Sequence, residues 1–498
     1  MGANRTTLIV IIFFLLGNKA YSQRSLKDYV NYFNAVDSET VQNYVNNAQA
    51  YEWLNKNIPL LACPDSIIEK TYYYRWWTFR KHLKETPDGF IFTEFILPVK
   101  HAGRYNALSC ALGHHINEGR WLRDTQYINQ DIRYWFMADA QQKAPKFHQF
   151  SSWAAWAVYE NIKVNGDVGM AKSLLPYMDA DYHLWEKERR LPDGLFWQFD
   201  VKDGMEESIS GSRKEKHIRP TINSYMYGNA IAMVAMAKLA GNDTLAKWYA
   251  NDAAKLKTLT EDSMWDSKAG FFKVHFAKGG LSAAREEIGF IPWYFNLPDD
   301  QVKYARAWQQ LIDTAGFNAP WGITTAERRH PAFRSHGTGG CEWDGALWPF
   351  ATTQTLKALS NLLRDYKYKG GMTPAVYYDM LQTYARSHQK NGQPYVGEYQ
   401  DEKTGYWLKG DNPRSSYYNH SGFCDLVIND LIGIRPIIEN KVTIDPIVPW
   451  KWFQLSNIPY HGHMITVSWN YKKKGYFIYV DNVEKYHSKQ LKKVVLPL

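Results

Sequence analysis

Along most of the chain, apolar and aromatic residues return every three or four positions, and short clusters of Asp, Gly and Pro interrupt them. That period marks helices with one buried stripe. It predicts helical structure over residues 25–62 and a helix over 67–83, in which aromatics fill the apolar positions around Arg75 and Arg80. Further helices are expected over 150–162, carrying Trp153, Trp156 and Tyr159, and from the capping residue Asp167 to about 191. The Ala- and Met-rich segment 224–240 predicts another, Asp243 is placed to cap the next as far as about 259, and a last pair is expected over 345–366 and 373–390. The interruptions share a pattern. Pro87-Asp88-Gly89-Phe90, Pro192-Asp193-Gly194-Leu195-Phe196, the run from Asp266 to Phe271 and the run from Asp401 to Tyr406 each bring Asp, then Gly, then an aromatic. Long helices joined in pairs by such loops predict a mainly α fold built as an array of helical hairpins. The irregular spacing of the breakers argues against a short-repeat solenoid.

Beyond Arg435-Pro436 the period shortens to two. Met464-Ile465-Thr466-Val467-Ser468-Trp469 and Tyr476-Phe477-Ile478-Tyr479-Val480 alternate in the manner of strands, with a turn over Lys472 to Gly475. Residues 436–498 are therefore expected to form a small β-domain that packs on the helical body, because about 60 residues bury too little surface to stand alone.

Composition adds a compartment and a ligand class. Arg5, the apolar run 8–16 and the small residues around Ala20-Tyr21-Ser22 read as a signal peptide over residues 1–22, cleaved before Gln23, which predicts export to the periplasm or the cell exterior. The apolar run is shorter than the roughly 20 residues a bilayer demands, and no cysteine follows the cut, so no membrane anchor is expected. Cys63, Cys110, Cys341 and Cys424 are scattered, matching no zinc or redox spacing, and are read as buried thiols. The net charge of +9 admits an anionic glycan, yet no basic helix or helix-turn-helix pattern points to nucleic acid. Twenty tryptophans and 34 tyrosines, many beside acids, Asn, Gly or Arg, favour a carbohydrate partner, since sugar rings stack on aromatic faces while their hydroxyls seek polar groups. No cofactor or metal is called for: His114-His115 and His461-Gly462-His463 lack further ligands at suitable spacing.

Two acidic loops carry the candidate chemistry. In Leu191–Gly211, Asp203, Glu206 and Glu207 lie among glycines after Phe196, Trp197 and Phe199, whose apolar surface would hold a carboxyl protonated as a general acid. In Gly397–Gly405, Glu398 stands between Gly397 and Tyr399, a suitable general base. The glycine-rich stretch from Gly337 leads into Trp343, Asp344 and Trp348, read as a sugar platform, and Asn223 and Tyr225 open the Ala-rich helix towards a pocket. Trp197 and Asp203 complete the expected substrate contacts.

In order, Asp203-Gly204-Met205-Glu206-Glu207-Ser208, Asn223-Ser224-Tyr225, Trp343-Asp344-Gly345-Ala346-Leu347-Trp348-Pro349 and Glu398-Tyr399 with Thr404-Gly405 resemble the (α/α)6-barrel glycoside hydrolases of the processing α-glucosidase, trehalase and mannosylglycerate hydrolase families. The resemblance implies an (α/α)6 toroid over residues 65–435, after an N-terminal helical segment 23–64 and before the β-domain. It also implies that Glu206 is the general acid and Glu398 the base of an inverting glycosidase. The sequence departs from those families in carrying Glu where the acid is usually Asp, which keeps Asp203 as a rival, and in lacking an Arg before Gly345. Two other classes compete. A polysaccharide lyase acting on uronates would draft Arg219, Asn223, Tyr225 and His420, and a non-catalytic glycan-binding protein would keep the aromatics without the acid–base pair.

Overall fold

The computed structural model describes residues 24–137, 145–337, 340–472 and 475–498. The signal segment 1–22 and its cleavage point, Thr338 and Gly339 of the glycine-rich stretch, and Lys473 and Lys474 of the expected turn lie outside the described residues. The fold is mainly α. Helices α1 (Leu26–Ala35) and α2 (Ala50–Asn57) precede α3 (Ser66–Lys81), whose N-cap Asp65 accepts from the amides of Ile67 and Ile68. α3 is buried almost throughout, charged positions included, because other elements wrap it: Arg75 reaches Ser421 and Arg80 the carbonyl of Val45. A β-hairpin of β2 (Leu83–Thr86) and β3 (Gly89–Phe92) turns at the first Pro-Asp-Gly breaker.

Two classes of helix follow. α4 (Leu112–Gly119), α8 (Pro220–Leu239), a tight 3-10 segment over Glu287–Phe295, α10 (Pro349–Asp365) and a wide π-turn over Leu426–Leu431 are buried on most or all sides. Between them in sequence come α5 (Gln126–Met137), α6 (Ala154–Asn165), α7 (Val168–Arg189), α9 (Asp243–Met264) and α11 (Pro374–Ser387). Of these, α5, α7, α9 and α11 bury only one stripe, as an outer layer does. α8 packs on α6, α7, α9 and the 287–295 segment, α10 on that segment and on α11, and α11 returns to α3. Asp167 caps α7 as expected, through the amide of Met170. The cap of α9 is Asn242 rather than Asp243, which falls inside the first turn. α10 begins at Pro349, four positions later than read from sequence, because Pro fits the first helical position where no amide donor is needed.

The C-terminal strands form an antiparallel five-stranded sheet in the order β1 (Leu60–Ala62), β5 (Trp452–Tyr460), β6 (His463–Asn470), β7 (Gly475–Val480), β8 (Val483–Ser488). β4 (Lys441–Ile444) and β9 (Val494–Pro497) pair in a second, three-stranded sheet with the two residues Ile434–Arg435. Leu455, Ile465, Val467, Ile478 and Val480 share the buried face. The N-terminal segment, read from sequence as helical throughout, thus contributes a strand: Leu61 pairs with Leu455, and its amide donates to the Tyr73 hydroxyl instead of to a helical carbonyl. Strands and helices share one apolar core, and His461 ties the sheet to the end of α6 through the carbonyls of Lys163 and Val164.

Leu61→Ala should remove a side chain that is 2% exposed and cost about 2–5 kcal/mol, lowering the thermal unfolding midpoint, whereas the same change at the less buried Leu60 should cost less; differential scanning calorimetry of the two variants checks this.

Candidate active site

The acidic loop is built on a buried ion pair. Asn223, on the first turn of α8, accepts from the amide of Phe196 at 2.8 Å and donates to its carbonyl at 2.8 Å, which pins the loop at its start. One helical turn, Asp200–Asp203, then ends at Gly204, whose φ of 70° is left-handed and where a Cβ would come within 2.7 Å of the Cys110 sulfur. Asp203 faces inward. Its Oδ2 receives Arg219 Nε at 2.6 Å, with both side chains 0% exposed, and the Thr221 hydroxyl. Glu206 follows this anchor, with its carbonyl 3.4 Å from the amide of Trp343. Glu207 adopts a left-handed φ of 65°, and its carboxylate occupies the space a Cβ at Gly340 would need. Strain of this kind persists only where surrounding structure over-determines it.

Burial is the main force on Glu206, raising its pKa to about 6; its own backbone opposes this, while the charges of Glu398 and Asp200 push the same way and Arg213 pushes back. A carboxyl titrating there is poised to give up a proton near neutral pH.

Glu398 approaches from the other side of the chain. Its amide donates to Ser415 Oγ at 3.1 Å, and His420 Nε2 lies 3.2 Å from its carbonyl. Lys409 Nζ stands 3.5 Å from Oε1 and Arg414 3.5 Å from Oε2, while the Cys341 thiol is 3.9 Å from Oε1. Backbone bonds between Leu347 and Gln400, both 2.9 Å, join the Glu398 loop to the segment carrying Trp343 and Trp348. The rings of Trp343, Trp348 and Tyr399 stack in series at 4.5 and 4.7 Å between centroids.

The seven residues expected to contact sugar are therefore placed as follows. Asp203 and Asn223 are engaged with protein partners in full burial, and Tyr225 accepts from Gln354 at 2.8 Å. Trp343 and Trp348 are buried members of the ring stack rather than an open platform, with Trp348 between Trp343 and Tyr399. Asp344 does not cap α10; its Oδ2 accepts from the His336 amide and ring. The cations of Arg189 and Lys216 each lie 4.7 Å from the ring centre of Trp197. The residues a lyase would draft are taken as well: Arg219 and Asn223 as above, and His420 is buried with a pKa held well below the ordinary imidazole value by desolvation. Glu94, Lys409, Arg414 and Tyr418 were not singled out in the sequence, although Phe92-Thr93-Glu94-Phe95 sets an acid among aromatics just after a Pro-Asp-Gly-Phe breaker. Among the described residues no group of three or more His, Cys, Asp and Glu could hold a metal, and no helix is long and apolar enough to cross a membrane. All four cysteines are free thiols.

Residues 104–421 match the mannosylglycerate hydrolase MGH1-like glycoside hydrolase domain. A solved structure named sialidase superposes with a TM-score of 0.92 at 45% identity, covering 95% of this chain and 45% of its own length. This chain thus spans less than half of that protein. A GH63 mannosylglycerate hydrolase from Thermus thermophilus, in complex with glucose, shares the fold at a TM-score of 0.55 and 14% identity, over 71% of this chain and 98% of its own. An uncharacterized protein of Borreliella burgdorferi is 20% identical over 346 residues, 67% of this chain and 70% of that one.

Two outcomes follow from the electrostatics. Glu398→Gln should lower the Glu206 pKa from about 6 towards the ordinary glutamate value, because it removes a negative charge that favours the protonated form; carbon NMR of labelled glutamate carboxyls reads the shift. Asp203→Asn should leave the Arg219 charge buried and unpaired, destabilising the fold by about 3–5 kcal/mol in a chemical denaturation curve.

Proposed function

The chain belongs to the mannosylglycerate hydrolase MGH1-like glycoside hydrolase family, and on that premise we propose that Glu206 and Glu398 are the acid and base of an exported, inverting glycosidase acting on an oligo- or polysaccharide. One observation carries the assignment: Glu206, a carboxyl with its pKa raised to about 6, feels the charge of Glu398, a carboxylate from a loop far away in sequence that two cations flank. In this mechanism Glu206 gives its proton to the glycosidic oxygen as the bond to the anomeric carbon breaks. Glu398 takes a proton from the water that attacks the opposite face. The product carries the inverted configuration if the carboxyls are spaced to admit that water, about 6.5–9.5 Å apart.

Asp203, the rival acid, loses ground on this reading, since its Oδ2 is committed to Arg219 and Thr221. The alternation of buried and half-buried helices favours closure into an (α/α)6 toroid over residues 65–435, with residues 436–498 and the strand β1 packed as an accessory β-domain. Lys409 and Arg414 leave room for an anionic glycan. Export rests on the apolar run near Arg5 and the small residues before Gln23.

Glu206→Gln and Glu398→Gln should each lower kcat by about 10²- to 10⁴-fold while unfolding at the wild-type temperature. Wild type is first screened on plant, algal and host glycans, and proton NMR of the first product assigns its anomeric configuration. Near wild-type turnover by either variant, or a retained configuration, would refute the corresponding part of the mechanism.

A further inference from the structure

Glu94 is a further carboxyl beside the site, near enough to feel the charges of Glu398 and Glu206. It lies at the end of the hairpin formed by β2 and β3, and segment 418–420 fixes it on two sides: the Asn419 amide donates to the Glu94 carbonyl at 2.9 Å, and Asn419 Nδ2 donates to the Thr93 carbonyl at 3.1 Å. The same segment continues into His420, which meets the carbonyl of Glu398, so the backbones of the two glutamates are held by consecutive residues. The Tyr418 hydroxyl donates to Glu94 Oε1 at 2.8 Å, and the Tyr418 ring packs against Phe95 at 4.5 Å and His420 at 4.0 Å. Glu94 Oε2 is buried and has no partner in the protein.

That asymmetry is informative. A buried carboxylate with one empty oxygen would forfeit solvation without compensation, whereas a carboxylic acid needs only an acceptor for its O–H. With Tyr418 donating to Oε1, the proton belongs on Oε2, and the group becomes a donor that the protein leaves unused. We infer that Glu94 is a substrate-contacting residue of this site, a neutral carboxylic acid whose Oε2–H donates a hydrogen bond to an oxygen of the sugar bound between Glu206 and Glu398. The inference rests on the glycosidase reading of the site.

The surrounding charges agree. Burial raises the Glu94 pKa to about 8, the Tyr418 hydrogen bond and Arg414 lower it, and the charges of Glu398 and Glu206 raise it. The Cys110 thiol also faces it and is held protonated by burial. Arg414 reaches Glu398 and lies 5.3 Å over the Phe95 ring, and His101 packs on the same ring at 5.8 Å. Negative charge on Glu206 and Glu398 therefore holds the Glu94 proton more tightly. A neutral Glu94 also lets the cations of Lys409 and Arg414 outweigh the single charge of Glu398 when Glu206 is protonated.

Two measurements decide the matter with Glu94→Gln, which keeps a neutral donor, and Glu94→Ala, which removes it. The first needs no substrate. A folded-state pKa above the unfolded value means that proton binding stabilises the folded protein fully below about pH 4.3, and that this stabilisation fades as pH rises through about 8. The wild-type melting temperature should accordingly fall relative to that of Glu94→Gln between about pH 5 and pH 9, and parallel curves would overturn the neutral state. The second is kinetic, on whichever glycan of the panel wild type hydrolyses. Glu94→Gln should keep kcat/KM within about threefold at neutral pH and show a shallower alkaline limb than wild type, while Glu94→Ala should lose about tenfold. Equal kcat/KM in wild type and Glu94→Ala would overturn the contact. If wild type hydrolyses nothing in the panel, the glycosidase reading falls and the contact with it, while the melting curves still decide the protonation state.

Discussion

Everything around Glu206, the proposed acid, depends on one buried ion pair, Asp203 with Arg219. Removing both charges from water is costly, and the pair is sustained only because Thr221 supplies a further donor and the geometry is close. What it secures is position. Arg219 immediately precedes α8, so the loop that presents Glu206 is fastened to the start of a helix buried on nearly every side. Such a helix has little freedom to shift, and a carboxyl three residues from the anchor inherits that rigidity. The left-handed Glu207 and the close approach of Gly340 add a second restraint from the opposite segment.

The segment of Glu398, the proposed base, is held by aromatic packing. Trp343, Trp348 and Tyr399 form a continuous stack, and the backbone pairing of Leu347 with Gln400 runs beside it. The amide of Trp343 closes the circuit to Glu206. Glu206 and Glu398, the proposed acid and base, thus come from loops nearly two hundred residues apart yet belong to one stiff assembly, as acid–base catalysis would require when a fraction of an ångström decides proton transfer. The richness in tryptophan that suggests sugar binding in the sequence is here largely spent on positioning.

Much of the helical layer was legible because period, cap and breaker agree: α3 and α7 lie almost where the pattern sets them, and Asp167 caps as its position implies. The sequence misled where tertiary contacts overrode local signals. Asn242 and Asp243 are equivalent as caps on paper, and in the folded chain it is Asn242 whose side chain accepts from the Leu245 amide. The run Glu287–Phe295 is apolar on every face, so no period betrays its helical turns. At the site, glycine-flanked acids drew attention to Glu206 and Glu398, but the partners of Glu398 escaped notice: Lys409 and Arg414 look like surface cations until the chain folds them back. Asn223 and Tyr225 carry functional groups suited to sugars, and nothing in the sequence tells that Phe196 and Gln354 claim them.

Strand β1 has a consequence for how the molecule comes to be made. It pairs with residues 454–456, close to four hundred positions further along the chain. During synthesis its hydrogen-bonding edge therefore waits while nearly all of the helices are translated, and loop closure over such a span is slow. An unpaired strand is a template for association with a neighbouring chain. The five-stranded sheet can therefore be completed only after β5 has emerged, late in translation.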